Sequence, residues 1–322
     1  MERGKQMKIG LRTIKTAVAA PIALLLASGL HLESAASAAI ITILTVTNTK
    51  RSTAKTALNR LFSLTLATLI AAVCFSLLGF HPIVFGFYLL VFIPLSIRFD
   101  LAEGIAVSSV LITHYLVAGE MPISLIINEY LLMILGVGCA LVANLYMPNT
   151  EKKIQEDQMV VEVSMKKMLG QMSAYLNQPA KEEELRHECL TLRDFVREAQ
   201  VRAQEFEENR FFSGNSYYFE YFAMRRLQLR VLADMLQILN RLDAAPEDVQ
   251  ELRELFEFTS RTLAEENDGS EILTKIAETD QRYQQKQLPE SRQAFEERAM
   301  LFQLFQLFQD FIEIKAGFNR KK

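Results

Sequence analysis

Apolar positions along the chain gather into six runs, 9–30, 35–47, 58–80, 82–97, 101–117 and 126–147, separated by short polar stretches. A helix needs about 20 apolar residues to cross a bilayer, so each run predicts a membrane helix. The second and fourth are short, and the second carries Thr42, Thr45 and Thr47, which predicts a tilted helix or one shielded by its neighbours. Beyond residue 150 the pattern changes to polar sequence with apolar positions three and four apart, punctuated by Pro179, Gly214, Pro246, Gly269 and Pro289. That spacing predicts five or six amphipathic helices. The expectation is an all-α, polytopic membrane protein: a six-helix transmembrane domain over 1–149, then a cytoplasmic helical bundle over 150–322.

Mean composition hides this division. At 50% hydrophobic and 23% charged with a net charge of −3, the chain has the average of a water-soluble protein. Residues 1–153, however, hold 12 Lys and Arg against 7 Asp and Glu, and the remainder is net −8. Basic residues near span ends remain cytoplasmic. All 12 fall on one side of the six runs: at the N-terminus, in the loop with Lys50, Arg51, Lys55 and Arg60, at Arg98, and at Lys152 and Lys153. The opposite segments, 31–34, 79–82 and 118–126, have none. An even number of spans follows, with both termini cytoplasmic, in a multi-pass protein of the plasma (inner) membrane. Ala36-Ser37-Ala38 resembles a signal-peptide cleavage site, but apolar sequence resumes at once, so the first run is expected to stay as a helix.

The motifs of several chemistries are missing. The sequence has no phosphate cradle of the form G-x-x-x-x-G-K-[ST], no H-E-x-x-H and no G-x-S-x-G, and its three cysteines and four histidines are scattered. Neither an enzyme nor a cofactor or metal site is expected. The acidic second half argues against nucleic acid as a partner. Small residues at every fourth position, Ser63, Ala67 and Ala71 and then Gly136, Ala140 and Asn144, predict closely packed membrane helices.

Ionisable residues inside or at the edge of membrane helices are costly, and are functional candidates unless they snorkel. Lys15 and Arg60 lie just inside the first and third spans, where a cation would draw an anionic substrate. Arg98 sits in a turn with Asp100 and Glu103, read either as a local ion pair or as a further basic contact for substrate. Glu103 and Glu129 are the carboxylates available for proton coupling, and His114, near the outer end of the fifth span, is the titratable histidine. In the second half, Phe211, Phe212, Tyr217, Tyr218, Phe219, Tyr221 and Phe222 lead into Arg225, Arg226 and Arg230, expected to be aromatic core beside a solvated arginine face. The apolar face of Leu301, Leu304, Phe305, Phe308, Phe311 and Ile312 predicts a final helix buried against its neighbours.

Several of these stretches resemble the aromatic acid exporter family, related to fusaric acid resistance proteins and similar in outline to plant aluminium-activated malate channels. They are Gly10-Leu11-Arg12-Thr13-Ile14-Lys15-Thr16-Ala17, the second span ending Ile43-Leu44-Thr45-Val46, and Leu58-Asn59-Arg60-Leu61. Gram-positive members carry a helical domain after the spans, with a Y-Y-x-x-Y-F-x-M-R-x-x-Q-like string, here Tyr217 to Gln228, and an F-E-x-R-A-x-L-F-like segment, here Phe295 to Phe302. The resemblance implies an exporter of small organic, typically aromatic, carboxylates, with Lys15 and Arg60 at the family's basic positions. Where the family has R-x-x-G-x-x-x-G, this chain has Ser63 and Ala67 after Arg60. The expected function is secondary or channel-like transport by a homodimer or higher homo-oligomer embedded in lipid. The rival reading is a membrane-anchored scaffold presenting the acidic helical domain to a partner.

Overall fold

The computed structural model describes residues 10–176, 182–210, 216–242, 246–265, 267–287 and 289–319. Among them all regular structure is helical: α1 Leu11–Gly29, α2 Ala36–Thr45, α3 Lys50–Leu78, α4 Pro82–Arg98, a 3-10 turn Ala102–Gly104 leading into α5 Ile105–Ala118, and α6 Ile123–Leu145. There follow α7 Glu151–Tyr175, α8 Glu182–Glu208, α9 Tyr217–Leu239, α10 Pro246–Thr262, α11 Ser270–Gln285 and α12 Arg292–Asn319. Two compact units result, one of residues 1–148 with 208–213, the other of 149–207 with 214–322. The basic residues Arg3, Lys5 and Lys8 and the aromatics Phe211 and Phe212, with Gly214 and Pro179, lie outside the described residues.

The first unit has an apolar exterior and an interior of small side chains. Leu25, Leu77 and Val117 are 71%, 76% and 86% exposed, whereas Ala23, Ala27, Ala38, Ala67 and Ala71 are fully buried. Such an exterior suits hydrocarbon, in which helices adhere by close packing rather than by exclusion of water. Three helices, α1, α3 and α6, are long and apolar enough to cross a membrane, and α2, α4 and the segment Ala102–Ala118 are shorter apolar helices. Both small-residue stripes lie at helix contacts. A Cβ on Gly136 would lie 2.6 Å from the Cβ of Ile41 and 2.7 Å from the carbonyl oxygen of Ala38, so α2 and α6 meet backbone to side chain. One on Gly104 would overlap Ser63, which places a glycine against α3 where the family has its own inside α3.

Two departures from the hydrophobic pattern shape the site. Helix α3 starts at Lys50 rather than 58, because Thr49, in extended conformation, caps it by accepting a hydrogen bond from the Ser52 amide at 3.2 Å. Its first two turns are polar, so hydropathy does not see them. Helix α2 spans only ten residues, about 15 Å. The turn before it is sunken. Asn128 accepts from the Glu33 amide at 2.9 Å and donates to the Glu33 carbonyl at 3.1 Å. Asn128 stands five residues inside the start of α6, so this turn is recessed by about 7.5 Å along that helix.

The second unit is a helical bundle with one continuous core drawn from α7 to α12. Helix α12 packs on α9 and α7 on α10. Leu301, Leu304, Phe305, Phe308, Phe311 and Ile312 are buried as the periodicity predicts, while Phe302 stays 55% exposed. Arg225 departs from the expected solvated face. It is fully buried, its Nε donating to the Tyr221 hydroxyl at 3.2 Å, one terminal nitrogen to Gln228 at 2.8 Å and the other to Glu162. Arg226 and Arg230 do face solvent. The Tyr217 to Gln228 string is thus the source of a buried polar network, with Tyr221 also donating to Glu162 and Gln228 to the Phe311 carbonyl at 2.8 Å. Lys315 is buried beside it, donating to the carbonyls of Glu265 and Asn267. Burial and the Arg225 charge push its ammonium down to about 8, against the pull of Glu162, Glu265 and Asp268.

Candidate functional site

The buried charged side chains of the first unit fall in two polar clusters, one toward each end. At the basic end, Lys15 and Arg60 surround the chain where α2 stops. The last carbonyls of a helix lack intrahelical donors, and here they are met by a guanidinium. Arg60 donates to the Ile41 carbonyl at 3.1 Å, the Leu44 carbonyl at 2.9 Å and the Thr45 hydroxyl at 2.6 Å. Arg12 donates to the next carbonyl, Val46, at 3.0 Å. Asn144, on the small-residue stripe of α6, donates to the Thr47 and Thr49 carbonyls and to the Thr53 hydroxyl, while its oxygen accepts from Lys15 Nζ at 3.1 Å. The Met147 sulfur lies 3.1 Å from the same ammonium.

Lys15 and Arg60 therefore differ. The fork of Arg60 is occupied by backbone and a threonine, with only Nε unpartnered, so it holds α2 in place. Lys15 touches two neutral acceptors and no carboxylate, which leaves its charge uncompensated at contact range among the described residues. It also lines a groove of about 760 Å³ between α1 and α6. The walls are apolar, formed by Ile14, Val18 and Ile22 of α1 and by Ile134 and Val142 of α6, and Lys15 is the one charged lining group among the described residues. The volume falls in the range of small-molecule sites.

The other charged candidates separate. Arg98 is exposed at the end of α4 and makes no ion pair among the described residues. Asp100 pairs instead with Lys55, at 3.8 Å between two largely exposed side chains, a contact of little energetic weight. Glu103 accepts from the Thr56 hydroxyl on α3 rather than from Arg98, because the 3-10 turn carries it back over that helix.

At the opposite end, His114 and Glu129 come together. His114 Nδ1 lies 2.8 Å from Glu129 Oε2, and Asn128 Nδ2 donates to Oε1 at 3.1 Å. Glu129 is completely buried; the imidazole is 18% exposed. The sequence shows these residues singly, fifteen positions apart on different helices, so only the α5–α6 packing makes them a pair. Asn144 is the residue that sequence reasoning undervalued: it counts as a small packing residue, yet four of its partners belong to one polar cluster. An amide in an otherwise apolar span was the available signal.

An all-helical chain with an apolar-coated unit, a lateral groove and a following helical bundle has the build of a membrane transporter. Sequence comparison makes it specific: residues 7–147 match aromatic acid exporter family member 1, and residues 151–316 match the domain described as "Putative aromatic acid exporter C-terminal domain". The chain belongs to the aromatic acid exporter family. It is 30% identical over 317 residues to uncharacterized protein YqjA of Bacillus subtilis (strain 168), covering 97% of each chain. A solved chain described as "putative membrane protein from Clostridium difficile 630" superposes with a TM-score of 0.47 at 19% identity, over 52% of this chain and 98% of that one.

Proposed function

We propose that the chain exports small organic carboxylates, aromatic acids among them, across the plasma membrane, with its six apolar helices all crossing the bilayer, both termini in the cytoplasm and the helical bundle on that side. The observation that carries this reading is the apolar groove between α1 and α6 with Lys15 at its basic end. An aromatic carboxylate has that shape: a flat apolar body bearing one anionic group. The Lys15 ammonium has three donors, two of them facing Asn144 and Met147, and a carboxylate takes the third. In low dielectric such a contact is far stronger than in water. Arg98, exposed at the same end, raises the local concentration of anions without holding them. Arg60 positions the wall of the site rather than the substrate. A twofold homodimer would cover the open side of the groove.

Purified protein in vesicles, supplied with labelled benzoate, tests the reading. Lys15→Ala should insert normally and move benzoate about tenfold more slowly or worse, and Lys15→Arg should retain part of the flux. Wild-type flux from Lys15→Ala would remove the groove as the site.

A further inference from the structure

We propose that the His114–Glu129 pair is a proton-binding site loaded from the end of the first unit that carries the recessed α1–α2 turn, and that the α3–α5 seam conducts the proton toward Glu103 at the basic end. This rests on the reading of the chain as an organic-anion exporter and names the ion that drives it.

A completely buried carboxylate in a membrane helix must be neutralised or paired. Among the described residues Glu129 has one cationic candidate, His114, and one neutral donor, Asn128. No Lys or Arg occurs in the segments at that end, 31–34, 79–82 and 118–126. Neutral carboxyl with neutral imidazole, or carboxylate with imidazolium, are the two uncharged arrangements, and they contain the same number of protons. Removing one proton leaves a bare buried anion, so the pair binds a proton as a unit. The other titratable group within electrostatic reach of Glu129 is the phenol of Tyr115 on α5; that of Tyr130 on α6 interacts with Tyr115 and donates to Thr65 on α3 at 3.0 Å. From the α1–α2 turn, Glu33 presents its backbone to Asn128 while its residue is exposed. Because that turn is sunken, solvent at this end stands close to the level of the pair, and the partly exposed imidazole is the member that meets it.

Hydroxyl groups continue from the pair between α3 and α5. The Tyr115 hydroxyl is within electrostatic reach of Glu129 and adjacent to that of Thr68, yet both are buried without a completed hydrogen bond. Orphaned hydroxyls in a buried seam are what bridging waters satisfy. Farther along, Ser108 donates to Ser63 at 3.2 Å with both residues buried, and Thr56 donates to Glu103 where the seam reaches the basic end. Thr68, Ser63 and Thr56 follow one another along α3 at intervals of about 7.5 and 10.5 Å, spans that one to a few waters bridge. In transit each hydroxyl or water accepts one proton and gives up another, so nothing is consumed. A proton moving inward as a carboxylate moves outward shifts two charges in the same electrical sense, and a negative interior drives both.

The test uses the full chain in vesicles, with labelled benzoate as the transported probe and a trapped pH dye. Wild type should accumulate benzoate against its gradient when a pH gradient is imposed, with protons moving the other way. Glu129→Gln should keep benzoate counterflow at equal pH but lose gradient-driven accumulation and proton movement by about tenfold or more; retained counterflow shows that the variant is folded. His114→Gln should change the same readouts in the same direction, and Tyr115→Phe should slow proton movement alone. Glu129→Gln accumulating benzoate like wild type overturns the proton site and leaves the exporter reading standing. Wild type that moves no benzoate in either mode overturns the exporter reading, and infrared spectra of the purified chain then decide the proton site alone. A pH-dependent carboxyl change present in wild type and absent from Glu129→Gln supports the site, and spectra identical in the two chains overturn it.

Discussion

Replacing Arg60 by methionine separates architecture from substrate binding at the basic end. Arg60 gives three hydrogen bonds to the end of α2; the Ile41 carbonyl also accepts from the Thr45 hydroxyl, so the Leu44 carbonyl is the acceptor that depends on Arg60. Methionine has comparable length, so the loss is of donors and charge more than of packing. A hydrogen bond from a charged donor contributes about 1.5–3 kcal/mol, and three on one side chain are not additive. Losing these three bonds, with the Leu44 carbonyl left without its donor, therefore costs about 3–5 kcal/mol in all. For a unit of this size that lowers the melting temperature by roughly 10 °C. The chain has no tryptophan, but it has three free cysteines, and Cys74 and Cys139 lie in the membrane unit. In a Cys189→Ser background, a thiol-reactive fluorogenic dye thus reports melting of that unit alone. Arg60→Lys, which keeps the charge and loses the fork, should fall between wild type and Arg60→Met. Arg60→Met melting with the parent chain while failing to move benzoate would refute the structural role and return Arg60 to the substrate.

Gly136→Val should destabilise the membrane unit by about 1–3 kcal/mol, because its Cβ meets Ile41 and the Ala38 backbone, and lowered yield and melting temperature in the same thiol assay would show it. In the second unit, Arg225→Met should cost about 3–5 kcal/mol by leaving the partly buried Glu162 carboxylate without its cation and the buried Gln228 oxygen without its donor, read as an earlier Cys189 transition in a Cys74→Ser, Cys139→Ser background. Lys315, held near 8 when folded and near its ordinary 10.5 when unfolded, binds fewer protons in the folded state between those values. Stability of this unit should therefore rise with pH from about 8 to about 10, by no more than about 1.4 kcal/mol per pH unit, and Lys315→Met should abolish the rise. Above about 10 the buried hydroxyl of Tyr221, pushed up by burial, reverses the trend, because only the unfolded chain ionises there.

Helix positions were readable because apolar runs and three-four periodicity report burial directly, in lipid or against neighbours. The start of α3 was not, since Lys50, Arg51 and Lys55 are helical residues in a polar setting, and hydropathy measures surroundings rather than backbone conformation. Candidate residues were legible as types and illegible as partners. Lys15 stood out as a cation in a span, but Asn144 lies 129 positions away and nothing local announces the contact. His114 and Glu129 were both visible, read as unrelated groups until helix packing joined them. Arg225 shows the same limit in reverse: from its neighbours Arg226 and Arg230 it reads as surface, and its burial is explained by Tyr221 and Gln228 together with the distant Glu162 on α7.

The ten-residue α2 has an electrical consequence. Between the sunken turn at one end and the carbonyls gripped by Arg60 at the other lie about 15 Å of helix, half the thickness of a bilayer's hydrocarbon. Where α2 crosses the bilayer as proposed and water fills the recess, a membrane potential falls across that shorter insulator, and the local field is about twice its value in the surrounding lipid. The work on each charge carried across is unchanged, about 2.3 kcal/mol per 100 mV, but the distance over which it is delivered is halved. A one-turn shift of a helix, about 5.4 Å, then covers a third of the electrical path rather than a sixth.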